Sequence, residues 1–155
     1  MTVRKTNVLS TKFVEDGPSE RDPGVTGRQL DLSGVHLGVR IEEMDPGGTS
    51  SYHHYHTAEE EHVLVLGGHG TLHLGDEQIE LVEGDHIWFP AGEDVAHHIE
   101  NTSSEPFKFL VFGECKQEDV VFYPSGQVIL VKSARGFHQY TYRERSVDTA
   151  VSENG

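Results

Sequence analysis

The sequence predicts a single all-β domain, and three observations lead to that prediction. The chain has 155 residues, which suits one domain and is long enough to bury a core. It contains 17 glycines and 6 prolines, residues that favour turns. Its apolar runs are short and are separated by turn residues, a pattern typical of many short strands rather than of helices.

Residues 1–33 are interpreted as an N-terminal arm. A short strand is predicted within residues 7–14, and it leads into the polar segment EDGPSERDPGVTG, which holds two prolines and three glycines. The arm either lies over a neighbouring subunit or frays at the end of the chain.

Residues 34–145 are predicted to form one barrel that includes strands at its C-terminal end. Alternation of apolar and polar residues favours strands, and a tight turn is predicted at residues 45–48 (DPGG). Residues 146–155 are polar and predict a flexible tail. The predicted strand segments are VHLGVRIEEM, VLVLGGHGTLHLGDEQIELVEGD, EPFKFLVFGEC, DVVFYPSGQVILVK and GFHQYTYRER.

Four potential metal ligands stand out in the middle of the chain. His54 and His56 are two residues apart, so on a strand both side chains point to the same face. Glu61 follows after four intervening residues, and His97 lies beyond a later glycine–proline turn. Imidazoles and a carboxylate suit a divalent transition metal and leave coordination positions for a substrate or water.

These residues resemble the two sequence motifs of the cupin superfamily. The first motif, G(x)5HxH(x)4E(x)6G, is matched by Gly48, His54, His56, Glu61 and Gly68. The second, G(x)5PxG followed by His and (x)3N, is matched by Gly84, Pro90, Gly92, His97 and Asn101. The resemblance implies a double-stranded β-helix (jelly-roll) barrel. It also implies one divalent transition metal per chain, whether Mn, Fe, Ni, Co, Cu or Zn, held by His54, His56, Glu61 and His97.

The carboxylate ligand must be chosen from three consecutive glutamates. Glu61 has the motif spacing to His56, Glu60 is the alternative, and Glu59 is expected to be solvated. Because coordination requires neutral imidazoles, we predict weaker metal binding below about pH 6.

The last histidine ligand also has a neighbour that competes for the role. Four residues separate Gly92 from His97, where the motif has two, and His98 follows directly. The spacing to Asn101 favours His97 as the ligand.

Catalytic residues are less well defined by the sequence. Tyr52, Glu60 and His98 are candidates for a general acid or base near the metal. The alternative for Tyr52 is a ring packed at the barrel rim with its hydroxyl in water. Arg40 shares strand parity with Glu42, so it either points into the barrel and holds a substrate carboxylate or is exposed or ion-paired.

The chain has 11 histidines, and many are interpreted as ordinary surface or interface residues. Nothing in their spacing predicts that they converge on one point. This group comprises His53, His62, His69, His73, His86 and His138.

The resemblance leaves the class of function open. It implies candidate reactions such as ring or diketone dioxygenation, oxalate-type decarboxylation or oxidation, and isomerisation of sugars or keto acids. We expect a metal-dependent enzyme acting on a small carbonyl- or carboxylate-containing molecule. The alternatives are a non-catalytic module that binds or senses a small ligand around a structural metal, and a domain that serves a larger protein complex.

Charge and composition narrow the partners and the location. The 26 acidic residues exceed the 12 basic ones, and the formal charge of −14 would repel a phosphate backbone, so nucleic acid is not an expected partner. Cys115 is alone, and no segment has the apolar length of a membrane span or the apolar core of a signal peptide. We expect a cytoplasmic homodimer that uses outer-face apolar residues such as Trp88.

Overall fold

The computed structural model describes residues 4–17 and 24–143. These residues form thirteen strands and one short 3-10 turn, Pro124–Gly126, with no α-helix among them. The predicted flexible tail at 146–155 lies outside the described residues. The strands are β1 (Val14–Asp16), β2 (Gly27–Asp31), β3 (Leu37–Met44), β4 (Tyr55–His56), β5 (Glu61–Gly67), β6 (His69–Leu74), β7 (Glu77–Val82), β8 (His86–Phe89), β9 (His97–Glu100), β10 (Phe107–Glu114), β11 (Asp119–Tyr123), β12 (Val128–Ser133) and β13 (Gly136–Thr141).

The strands form three antiparallel sheets. The largest has the order β1-β2-β3-β10-β5-β8, the second β13-β12-β11-β4, and the third β7-β6-β9. Two isolated bridges, Thr49 with Glu100 and His54 with His97, join the segment around β4 to β9. The predicted all-β class is confirmed, and the antiparallel sheets fit the predicted jelly-roll barrel.

The core lies between the large sheet and the three-stranded sheet. Alternate residues of β5 and β10 point inward, so Val63, Val65, Phe107 and Phe109 are almost completely buried. The three-stranded sheet contributes Leu72, Leu81 and Ile99 from the other side. Burial of apolar side chains from both layers is the main favourable contribution to stability.

Part of the predicted N-terminal arm belongs to the large sheet. Strand β2 pairs with β3 along its whole length, from Gly27 opposite Met44 to Asp31 opposite Arg40. Strand β1 pairs in turn with β2 and becomes the sheet edge. The observed strand β1 therefore begins where the predicted strand at 7–14 ends.

Asn101 fixes the loop that follows β9. It is fully buried, and its Nδ2 donates to the carbonyl oxygens of Met44 (3.0 Å) and Glu105 (2.8 Å). Its Oδ1 accepts from the backbone N (3.1 Å) and Oγ (2.8 Å) of Ser103. All the hydrogen-bonding capacity of this amide is used, which ties β9, the strand that carries His97, to the large sheet.

Candidate metal centre

His54 and His97 face each other across the seam between two sheets. Backbone hydrogen bonds join His54 N to His97 O (3.1 Å) and His97 N to His54 O (2.8 Å). Their ring centroids are 5.0 Å apart, and the ring of His56 lies 5.1 Å from that of His54. Backbone pairing thus gathers three of the four predicted ligands from distant parts of the sequence.

Hydrogen bonds orient the ring of His54. Its Nδ1 lies 2.8 Å from the carbonyl oxygen of Tyr52, to which an Nδ1–H donates, and 3.1 Å from Ser51 Oγ. The neutral ring then carries its lone pair on Nε2, the atom that remains for a metal.

His56 is oriented by a carboxylate. Its Nδ1 lies 2.6 Å from Asp119 Oδ2, and the same carboxylate accepts from the backbone N of Ala58 at 2.8 Å through Oδ1. Metal-binding histidines commonly donate their second ring N–H to a carboxylate, which fixes the tautomer and makes the ligand more basic. Asp119 therefore orients the ring of His56, a predicted ligand, through the nitrogen that does not face the metal.

His97 offers the most direct indication that these residues suit a metal. Its side chain is buried, its ring makes a hydrogen bond to the backbone of Val95, and its Nε2 has no partner among the described residues. A buried polar atom without a partner costs roughly 1–3 kcal/mol. A metal ion on this nitrogen would remove that cost, so the donor set fits the ion that the sequence predicts.

Burial and mutual repulsion keep two of the rings neutral. Desolvation, with the neighbouring histidines, lowers the pKa of His54 to about 4 and that of His97 to about 3. Desolvation also acts to lower the pKa of His56, but the hydrogen bond to Asp119 and the charge of Glu61 prevail and raise it. Neutral His54 and His97 are in the form that binds a metal.

Glu61 is the carboxylate of the predicted set, and it begins β5 beside the histidines. It lines the same cavity as His54, His56 and His97. Burial raises its pKa, although the charges of His56 and Arg40 oppose that shift. A buried carboxylate is stabilised in its charged form by a nearby cation, so Glu61 complements the three imidazoles.

A second group of potential ligand atoms lies behind His56. Atoms of His56, Glu59 and Asp119 all lie within 4.8 Å of one another. These carboxylates are already occupied, because Glu59 Oε1 accepts from Lys132 Nζ at 2.6 Å and Asp119 accepts from His56 and Ala58. We therefore interpret this group as hydrogen-bonded support for His56. The expectation that Glu59 is solvated is wrong, since its side chain is only 14% exposed.

The predicted ligands line a cavity of about 370 Å³. Its wall also includes side chains from the large sheet and from β12, namely Ser33, Arg40, Glu42, Phe89, Val111 and Lys132. This volume accommodates a small organic molecule next to the predicted metal ligands.

The candidate acid–base residues occupy three different environments. Tyr52 lines a separate cavity with Tyr123 and Leu130. Glu60 borders the main cavity, but its Oε2 accepts from Trp88 Nε1 at 3.2 Å. Glu60 therefore differs from Glu61, whose carboxyl is partly buried in the cavity wall.

His98 belongs to a histidine cluster on the face opposite His97. Its Nδ1 lies 2.9 Å from His53 Nδ1, and its ring stacks on His73 with centroids 4.4 Å apart. Similarly, His62 Nδ1 lies 3.1 Å from His86 Nε2. The expectation that the outer histidines do not converge is therefore wrong for four of them, because strand pairing brings His53 and His73 to His98 and His62 to His86.

Asp119 and Glu42 are site residues that the sequence analysis did not single out. Strand β11 pairs with β4, with Val121 opposite His56, and this pairing brings Asp119 to His56. No local spacing signals a contact between residues so far apart in sequence. Glu42 did carry a signal, because it shares strand parity with Arg40.

Comparison with known proteins agrees with this architecture. Residues 40–113 match the cupin domain family. A candidate sugar phosphate isomerase from Acidithiobacillus ferrooxidans superposes with a TM-score of 0.79 at 28% identity, covering 88% of this chain and 93% of that one. A sugar phosphate isomerase of the cupin superfamily from Silicibacter pomeroyi gives 0.78 at 25% identity, covering 89% and 92%.

A more distant structure shares the fold alone. The polyketide cyclase RemF from Streptomyces resistomycificus superposes with a TM-score of 0.60 at 23% identity, covering 74% of this chain and 81% of that one. No curated protein matches the sequence.

The family match, the jelly-roll fold and the cupin neighbours agree, and the chain belongs to the cupin superfamily. Cupins generally bind a transition metal, and the cavity wall holds His54, His56, Glu61 and His97, the ligands that the sequence predicts for one. In the described part of the chain, no helix has the length and apolarity needed to cross a bilayer.

Proposed function

We propose that this protein is a metal-dependent enzyme acting on a small carbonyl-containing molecule, and that its reaction is the isomerisation of a phosphorylated sugar. The observation that carries the proposal is the cavity of about 370 Å³ beside His54, His56, Glu61 and His97. A structural metal is normally enclosed by protein ligands, whereas a catalytic one keeps room for a substrate. The space beside the ligands therefore favours catalysis over the alternative of a binding or sensing module.

The chain's own residues prepare the site for a divalent ion. His54, His56, Glu61 and His97 would hold the metal, and hydrogen bonds on the far side of the rings would keep them in the binding orientation. When bound, such an ion polarises a carbonyl or hydroxyl oxygen of a substrate. Phe89 and Val111 line the cavity with apolar surface that limits water near this position.

Isomerisation between an aldose and a ketose moves one proton between neighbouring carbons and another between their oxygens, so a proton carrier is needed. Glu42 is our candidate in addition to Tyr52, Glu60 and His98. It lines the cavity, and burial raises its pKa despite the charge of Arg40. A carboxyl whose pKa is raised towards neutrality is suited to accept and return a proton.

Similarity supports the sugar phosphate assignment over the dioxygenase and decarboxylase classes. Both neighbours described as sugar phosphate isomerases align over nearly the whole of this chain, at 28% and 25% identity. The match extends beyond the cupin domain at residues 40–113.

The proposal includes a cytoplasmic homodimer. Trp88 is 55% exposed on β8, at the edge of the large sheet, and Leu66 on the neighbouring strand is 39% exposed. Exposed aromatic and aliphatic side chains on one sheet face are typical of subunit interfaces. Light scattering of the purified chain tests the dimer, and a monomeric mass would contradict it.

Elemental analysis and turnover test the main proposal. Protein purified without affinity chelation should contain about one equivalent of a divalent transition metal. Metal-free protein reconstituted with single metals should interconvert aldose and ketose phosphates, which NMR detects as exchange of the proton beside the carbonyl with solvent deuterium. One bound metal with no turnover of any aldose or ketose phosphate would favour the non-catalytic module.

A further inference from the structure

Arg40 has hydrogen-bonding capacity that the fold does not use. Its Nε donates to Glu42 Oε1 at 3.0 Å, and within the described residues no acceptor is paired with either of its Nη groups. Its side chain is 48% exposed and lines the main cavity. An arginine guanidinium presents five N–H donors in a planar fork, so most of these donors remain for a ligand.

Arg40 differs in this respect from the other cation of the cavity. Among the described residues, Arg40 and Lys132 are the lysine and arginine side chains that line it. Lys132 Nζ is committed to Glu59 Oε1 at 2.6 Å and lies 3.6 Å from Cys115 Sγ. Of these two cations, Arg40 is therefore the one whose Nη groups can donate to a ligand.

Charge in the cavity does not cancel this preference for an anion. Of the other glutamates that line the cavity, Glu59 is paired with Lys132 and Glu114 with Lys116, and Glu60 accepts from Trp88. Glu61 would face the bound metal. Glu42 contacts Arg40 through Nε alone, and burial raises the pKa of Glu42, which disfavours its charged form. The two Nη groups thus remain the most favourable place in the cavity for a negative group.

The strand beside Arg40 leaves space for such a group. Gly38 lies two residues away on β3, lines the same cavity, and stands opposite Gly113 of β10. A Cβ atom added at Gly38 would meet nothing within 4 Å. Arg40 lines the same cavity as the predicted metal ligands, and its charge acts on Glu61.

We propose that Arg40 binds the phosphoryl group of the substrate and thereby selects phosphorylated over free sugars. The identity of the substrate rests on the proposed function, but the anion contact itself does not require turnover. Two Nη groups match two phosphoryl oxygens, the bidentate geometry in which arginine binds phosphate strongly. The sugar end of the substrate would extend from Arg40 towards the metal ligands.

Binding of matched probes tests the inference without an activity assay. Calorimetry would compare the binding of ribose 5-phosphate and of ribose to the 155-residue chain loaded with Zn²⁺. We expect the wild-type protein to bind the phosphorylated sugar about 10- to 100-fold more tightly, the effect of a charge-assisted contact. Arg40→Gln should remove most of that preference while leaving the affinity for ribose unchanged.

Three further variants distinguish a direct contact between Arg40 and the phosphoryl group from a general effect of cavity charge or shape. Lys132→Gln removes the other cavity cation and should keep the preference, whereas Arg40→Lys keeps the charge but not the fork and should retain only part of it. Gly38→Val fills the space beside Arg40 without removing charge and should weaken ribose 5-phosphate binding. Circular dichroism and thermal unfolding would verify that each variant is folded.

The outcomes separate this inference from the proposed function. Equal affinity of the wild-type protein for both probes, or a preference that survives in Arg40→Gln, would overturn the phosphate contact. Isomerase turnover without an Arg40-dependent preference for ribose 5-phosphate would contradict the phosphate contact and support the proposed function. An Arg40-dependent preference without turnover of any sugar phosphate would support the phosphate contact and contradict the proposed function.

Discussion

Asp119 Oδ2 lies 2.6 Å from His56 Nδ1, and the aspartate is almost completely buried at 3% exposure. The pair couples β11 to β4, so it connects the C-terminal hairpin to the predicted metal ligands. Its hydrogen bonds, to His56 above all, lower the pKa of Asp119 to about 2 despite burial. Asp119 is therefore a charged hydrogen-bond acceptor throughout the physiological pH range. It fixes the orientation of the His56 ring through Nδ1.

Replacing this carboxylate should weaken metal binding without unfolding the barrel. Asp119→Asn keeps the shape of the side chain and an oxygen for the Ala58 N–H, but removes the negative charge that His56 faces. We expect metal affinity to fall roughly 10- to 100-fold, as for other carboxylates that support a metal-bound histidine. Competition with a chromophoric chelator measures the affinity. Glu118→Gln, at the exposed neighbouring position, is the control, and equal affinity in both variants would contradict the assigned role.

Removing two ligands at once tests the ligand set itself. His54→Ala/His56→Ala deletes both histidines of the β4 segment and should remove most of the bound metal, because two of four donors are lost. Metal stoichiometry by elemental analysis and strand content by circular dichroism are the measurements. His138→Ala, on the exposed strand β13, removes a histidine far from the cavity wall and should change neither. A full equivalent of metal in the double variant would show that the ion binds elsewhere.

The sequence was sufficient for the fold because alternation and motif spacing are local. Val63, Val65, Phe107 and Phe109 alternate with outward residues, and that period of two predicts the buried face of each strand. The motif positions likewise predicted which histidines would lie near one another. His54 and His97 meet through backbone pairing that any strand sequence of this topology would form.

The features of the site that could not be predicted from the sequence depend on contacts between strands that are distant along the chain. Lys132 reaches Glu59 only because β12 follows β11 in a sheet that also holds β4, so the burial of Glu59 has no local signal. The outer cluster of His53, His73 and His98 arises in the same way, from the pairing of β6 with β9 and the bridge at His54. Register between strands, rather than residue type, decides these contacts.

Asn101 should contribute more to stability than its size suggests. Asn101→Ala removes the fully buried amide that donates to the Met44 carbonyl oxygen and accepts from the Ser103 N–H. We expect a loss of about 2–4 kcal/mol in the free energy of unfolding, since unsatisfied buried polar groups carry their full desolvation cost. Urea denaturation measures the change. Thr102→Ala, at the exposed next residue, is the matched control, and a similar small effect in both would contradict this account.

The neutral histidines should make stability depend on pH in the metal-free protein. The pKa of His54 is lowered to about 4, mainly by desolvation, from an ordinary value of 6.5. Its contribution to stability is therefore fully present above pH 6.5 and is lost as the pH falls towards 4, because the unfolded chain binds a proton that the folded chain does not. Glu42 and Glu61, whose pKa values are raised, act in the opposite direction. The effect of His54 must therefore be measured as a difference between two proteins.

His54→Gln provides that difference. The variant cannot lose stability through this proton, so its free energy of unfolding should improve relative to wild type by up to about 1.4 kcal/mol per pH unit between pH 6.5 and 4.5. Urea denaturation at several pH values, with a chelator present, gives the two curves. His138→Gln serves as the control, because its side chain lies on an exposed strand, and its curve should run parallel to wild type. Parallel curves for His54→Gln and wild type would mean that His54 titrates normally and that burial does not hold it neutral for metal binding.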